Sequence, residues 1–83
     1  MHRKTAGRDI EVVALTSHEW RICDGTIDER DARRVLGYIE ERPDSYEVLA
    51  LCPAPRVQGE YSSWDDALKA LLATSGRTLP AAG

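Results

Sequence analysis

The sequence predicts an α+β domain: an antiparallel sheet of four or five strands with one C-terminal amphipathic helix packed on one face. Three observations predict it. Two runs rich in β-branched, aromatic and aliphatic residues flank Pro43-Asp44, a pair suited to the corners of a β-hairpin. Trp64, Ala67, Leu68, Leu71 and Leu72 recur at i, i+3, i+4, i+7 and i+8, which lays one apolar stripe along a helix. Upstream, Ile10–Leu15 and Glu19–Cys23 have strand character of their own.

Taken in order, residues 1–9 read as a flexible tail, since Met1–Arg8 is polar and short of apolar residues. Ile10–Leu15 is a strand and Thr16-Ser17-His18 a turn. Glu19–Cys23 resumes alternation, with Trp20 and Ile22 on one side. These two runs form either a second hairpin or one long bent strand beside the central one. Asp24-Gly25 signals a turn. Asp28–Arg34 is densely charged, with only Ala32 apolar, and fits a solvated loop or a single helical turn.

With Pro43 and Asp44 at the corners, the central hairpin pairs Ile39 with Val48, Tyr38 with Leu49 and Leu36 with Leu51. One face then carries Val35, Ile39, Tyr46, Val48, Ala50 and Cys52. The other carries Leu36, Tyr38, Leu49 and Leu51, with Glu40 facing Glu47. Like charges so placed repel, which leaves open a three-residue loop shifted by one. Such a slip exchanges the two faces.

Pro53-Ala54-Pro55 ends the second strand, because proline cannot donate to a ladder. Arg56-Val57-Gln58 leads into an edge strand ending at Tyr61. The helix runs over Trp64–Ala73. Ser62 or Ser63 caps its start, Asp65 and Asp66 suit the positive end of its dipole, and Gly76 stops it. Residues 10–75 make one domain and 76–83 a second tail.

At 83 residues, 42 % hydrophobic and 30 % charged, the chain is too small for two cores and too apolar for a disordered segment. No apolar run approaches the roughly 20 residues of a membrane span, and the basic start lacks a signal-peptide core. A cytoplasmic address is the default expectation. Net charge −3 opposes general attraction to phosphate backbones or anionic lipid, so nucleic acid and membrane are disfavoured partners.

Chemistry-bearing residues are sparse. His18 lies beside Glu19 with no nucleophile in sequence reach, and a surface turn accounts for it. Asp24, Asp28 and Asp31 have part of an oxygen-ligand spacing but lack the glycine and distal glutamate of a calcium loop. Cys23 and Cys52 form no C-x-x-C pair, so zinc has no framework; a disulfide requires their strands to be neighbours. No catalytic residue, metal site or cofactor is expected. Arg30, Arg33 and Arg34, with Trp20 and Tyr38 nearby, could form a basic and aromatic patch that meets phosphate or stacks on bases, although Asp28, Glu29 and Asp31 dilute it.

Gly59-Glu60-Tyr61-Ser62-Ser63-Trp64-Asp65-Asp66-Ala67 resembles the strand-to-helix junction G-x-[FY]-x-[ST]-x-x-[DE]-A. That junction occurs in three-stranded-sheet-plus-helix modules similar to AP2-type DNA-binding domains and the amino-terminal domains of phage integrases. Gly37-Tyr38-Ile39, Arg42-Pro43 and Tyr46–Ala50 extend the resemblance backwards to the first two strands. It implies a βββα order over residues 35–72. Those families read DNA with basic and aromatic side chains on the exposed sheet face, where this chain has Glu40, Glu41 and Glu47 and only Arg42 basic. No DNA-contacting residue is carried over.

One helix covers one sheet face, so the other presents large side chains, and an exposed apolar face marks a protein interface. The expectation is a small non-enzymatic protein-interaction or regulatory module that self-associates as a homodimer, or binds another protein, through Leu36, Tyr38, Leu49 and Leu51 or through an edge strand. The alternative is a nucleic-acid-binding accessory using Trp20, Arg30, Arg33 and Arg34.

Overall fold

The computed structural model describes residues 3–5, 9–51 and 54–76. Among them, six strands form one antiparallel meander in the order β1-β2-β3-β4-β5-β6, each paired with its neighbour in sequence. The strands are β1 (Arg3–Thr5), β2 (Ile10–Ala14), β3 (Glu19–Asp24), β4 (Val35–Glu41), β5 (Tyr46–Ala50) and β6 (Arg56–Tyr61); α1 spans Trp64–Thr74. This is the expected α+β class. Residues 35–74 run as three strands followed by the helix.

The tail expected over residues 1–9 is corrected in part. Arg3–Thr5 pairs with Glu11–Val13 as an edge strand. An edge strand needs only backbone hydrogen bonds to its neighbour, so Arg3-Lys4-Thr5 gives no apolar pattern to read. Residues 77–83, most of the second expected tail, lie outside the described residues, as does Cys52.

Ile10–Leu15 and Glu19–Cys23 resolve as a hairpin, not a bent strand: Ile10 faces Asp24 and Ala14 faces Trp20. Leu15 and Thr16 amides both donate to the Glu19 carbonyl, and Thr16 Oγ1 accepts from the His18 amide at 3.0 Å. The charged connection to β4 contains a 3₁₀ turn, Ala32–Arg34, capped by Asp31, whose Oδ1 accepts from the Arg33 amide at 2.9 Å.

The central hairpin has the register set by Pro43 and Asp44 as corners. Ile39 faces Val48, Tyr38 faces Leu49 and Glu40 faces Glu47; Arg42 and Ser45 close the turn through both backbone hydrogen bonds. Arg42 also answers the like-charge objection. Its Nη2 donates to Glu40 at 3.1 Å and to Glu47 at 2.8 Å, one guanidinium serving both carboxylates.

Two placements are overturned: Val35 pairs with Cys23 on the face away from the helix, and Leu36 moves the opposite way. Leu36 was assigned to the face with Tyr38 and Leu49, yet it is fully buried in the core under the helix. The pairing between β3 and β4 jumps from Ile22–Gly37 to Cys23–Val35, which leaves Leu36 as an extra residue. A bulge of this kind breaks strict alternation, so Leu36 and Gly37 both belong to the helix side.

The core forms where α1 lies on that side. Ile10, Val12, Ile22, Leu36, Ile39, Val48 and Ala50 from the strands meet Ala67, Leu68, Leu71 and Leu72 from the helix. Ser63 caps α1 by accepting from the Asp66 amide at 3.1 Å. Gly76, at φ +75°, takes a left-handed conformation that ends the helix cheaply only as glycine. Gly37 is required by closeness instead: a methyl there would lie on the Leu49 carbonyl oxygen and 2.8 Å from Leu71 Cδ1. Trp64 anchors the start of the helix, edge-on to Trp20 at 5.0 Å and to Tyr46 at 6.1 Å. No helix among the described residues is long and apolar enough to cross a membrane.

Candidate functional site

The sheet face turned away from α1 is built in rungs that run across the strands. Alternation puts Glu19 of β3 opposite Glu40 of β4, Glu40 opposite Glu47 of β5, and Glu47 opposite Glu60 of β6. Four carboxylates thus stand in one row, about 14 Å long at the usual strand spacing of roughly 4.8 Å. Directly opposed like charges destabilise a sheet, and the chain answers them sparingly. Arg42 bridges the middle two, the Ser45 hydroxyl donates to Glu60 at 2.6 Å, and the Thr16 hydroxyl donates to Glu19 at 3.3 Å.

The adjacent rung is of different character. It runs Val13, Arg21, Tyr38, Leu49 and Val57 from β2 to β6. Val57 is 64 % exposed, and Leu15, at the end of β2 on the same face, is 46 % exposed. Tyr38 and Leu49 are half-buried. Leu15, Tyr38 and Leu49, with Glu19, Glu40 and Glu47, line a shallow depression between the rows. Arg21 Nε is buried and has no hydrogen-bond partner among the described residues.

The other end of this face is covered by the chain itself. The connection after β3 folds back so that Arg34 donates to the Glu11 carboxylate and, at 3.3 Å, to the Ile27 carbonyl. Val13 and Cys23, on the same side as Glu11, are buried. The uncovered part is therefore the stretch over β3 to β6.

Of the four residues expected at an interface, Tyr38, Leu49 and Leu51 are half-buried and accessible, and Leu36 is withdrawn into the core. The basic and aromatic set is dispersed. Trp20 packs on Trp64 beneath the helix, on the face opposite to Arg21 and Tyr38. Arg30 is held by Asp28, Arg33 by Asp31 and Arg34 by Glu11. The Arg33 side chain and amide hold the Asp31 carboxyl down at about 2, and Arg30 lowers Asp28 in the same way.

Asp24, Asp28 and Asp31 do not converge. Each accepts from a backbone amide two residues on: Thr26 at 2.9 Å, Arg30 at 2.8 Å and Arg33 at 2.9 Å. These are local turns, which is the ordinary use of aspartate in a loop. The His18 side chain is 71 % exposed, with Nδ1 3.5 Å from Glu41 Oε1. Among the described residues no three His, Cys, Asp or Glu side chains gather in a metal-holding group.

Sequence reading missed the acidic row beyond Glu40 and Glu47, along with Arg21, Leu15 and Val57. The signal present was the Glu40–Glu47 pair. Extending it to Glu19 and Glu60 needs the registers of two further strand pairs, each interrupted by a bulge. Comparison with protein-family models, with curated proteins and with solved structures finds no match to this chain.

Proposed function

We propose that the chain is a non-enzymatic, cytoplasmic protein-interaction module that docks another protein on its open sheet face. The observation that carries the reading is the rung of Tyr38, Leu49 and Val57, with Leu15 at its flank, left uncovered by α1 on a domain this small. The non-enzymatic part rests on placement. His18 points to solvent beside Glu41, and Cys23 is buried, so neither forms a nucleophile–base pair among the described residues.

Self-association through this face is the weaker form of the reading. Stacking two copies face to face brings eight row glutamates together with two Arg42 side chains, four and one from each copy. Like charges in a desolvated interface cost several kcal/mol. A different partner avoids that cost.

Peptide display on the immobilised chain tests the proposal. Selected peptides should bind the native chain, fail on a Tyr38→Glu/Leu49→Glu variant, and shift the amide resonances of β4 to β6. Selected peptides indifferent to both substitutions would refute it.

A further inference from the structure

We propose that the partner of the open face is a basic amphipathic segment, with a stripe of lysine or arginine over the glutamate row and an adjoining apolar stripe over Tyr38, Leu49 and Val57. This rests on the reading of that face as the docking surface and assigns the partner's chemistry.

Charge complementarity carries the assignment. Glu19, Glu40, Glu47 and Glu60 follow one another across four strands, and Arg42 is the one cation bonded to them among the described residues. Among the described residues, Glu19 and Glu60 have only neutral hydroxyls as hydrogen-bond partners, with Arg42 acting on Glu60 at longer range. The row therefore keeps uncompensated negative charge that a cationic stripe relieves and a second copy doubles. Phosphate-bearing partners are repelled for the same reason.

Spacing agrees. Successive glutamates stand roughly 4.8 Å apart across the strands, and a helix laid along the row returns a side chain to one face about every 5.4 Å. Neighbouring rungs are separated by two residues along a strand, roughly 6.7 Å, within the reach of two adjacent stripes on one helix. Arg21 lies on the apolar rung between Val13 and Tyr38, on β3, so the acidic and apolar rungs remain distinct over β4 to β6.

Two synthetic helical peptides test the proposal. They share a leucine stripe; one carries lysines beside it and the other glutamates at the same positions. Each is titrated with the full chain by fluorescence anisotropy and mapped by amide chemical shifts. The lysine peptide should bind over β4 to β6, weaken steeply with salt, and lose about tenfold in affinity to a Glu40→Gln/Glu47→Gln variant. Arg42→Gln should tighten it, because Arg42 competes for the same carboxylates. That gain would not arise from loss of a merely structural contact. Equal binding of the glutamate peptide on β4 to β6 would overturn the charge assignment and leave the docking face standing. Binding of the lysine peptide at Asp65 and Asp66, or at Asp28–Asp31, would overturn both. So would failure of both peptides to bind.

Discussion

Removing the side chain that sits on Gly37 tests how the helix is seated. Leu71 is fully buried, and its Cδ1 would be 2.8 Å from a methyl at position 37. Leu71→Ala should cost about 2–5 kcal/mol, the range for opening a cavity in a core that relaxes only partly. At roughly 0.05–0.15 kcal/mol per residue, a chain of this length holds about 4–12 kcal/mol in all, so this one change removes a large share. Gly37→Ala should cost about 1–3 kcal/mol through overpacking, offset by roughly 0.4–1 kcal/mol from a stiffer unfolded chain. The two changes share a contact and cannot be independent. With Leu71 shortened, the side-chain half of the clash disappears. The collision with the Leu49 carbonyl and the 3.2 Å approach to Ala50 Cα remain. Gly37→Ala should therefore be cheaper in the Leu71→Ala background yet still unfavourable. Urea unfolding followed by tryptophan fluorescence measures all four corners of the cycle, since Trp20 and Trp64 report the closed helix–sheet interface. Equal costs of Gly37→Ala in both backgrounds would refute the seating of Leu71 over Gly37.

Four further outcomes are expected. Ser63→Ala removes the helix cap and should lower stability by about 1 kcal/mol with an unchanged urea slope. Arg42→Gln exposes Glu40 to Glu47 and should destabilise the fold at low salt; Glu47→Gln, costly in the native chain, should become favourable in that background, as a double-mutant cycle in urea would show. Asp31 titrates near 2 when folded, below its ordinary 3.8, because Arg33 holds the ionised form. Its contribution is complete above about pH 4 and fades as pH falls toward 2, so Asp31→Asn should flatten the acid limb of a stability–pH curve over that window. Sedimentation velocity at low salt should find a monomer across a wide concentration range. A dimer that dissociates on Tyr38→Glu would reverse the partner assignment.

What sequence could show was what depends on one element or one turn. The helix stripe from Trp64 to Leu72, the Ser63 cap and the Gly76 stop are local rules, and all reappear in α1. The hairpin register followed from Pro43-Asp44, because a two-residue loop leaves one pairing. Features that need a partner strand were not legible. Leu36 changes face because β3 forces an extra residue into β4 beside Gly37. The glutamate row appears only when three registers are known together. Trp20 alternates with Ile22 as read, and that same alternation sends it under the helix, away from the arginines with which it was grouped. The Glu40–Glu47 pair counted against the right register because Arg42, two residues past Glu40 at the turn, was not seen as its counter-ion.

The meander also decides how the molecule assembles. No strand waits for a distant segment: β1 to β6 pair in the order in which they are made, and α1 closes on β4, β5 and β6, the strands nearest to it in sequence. Each step closes a short loop, which costs little chain entropy, so folding should be fast for a β-rich protein. The segment from Val35 to Thr74 holds the helix, the strands it contacts and the tight Pro43-Asp44 turn within forty consecutive residues. It is the natural nucleus. The β1–β3 part adds onto a sheet already under construction, and in hydrogen exchange its amides should open before those of β4 and β5.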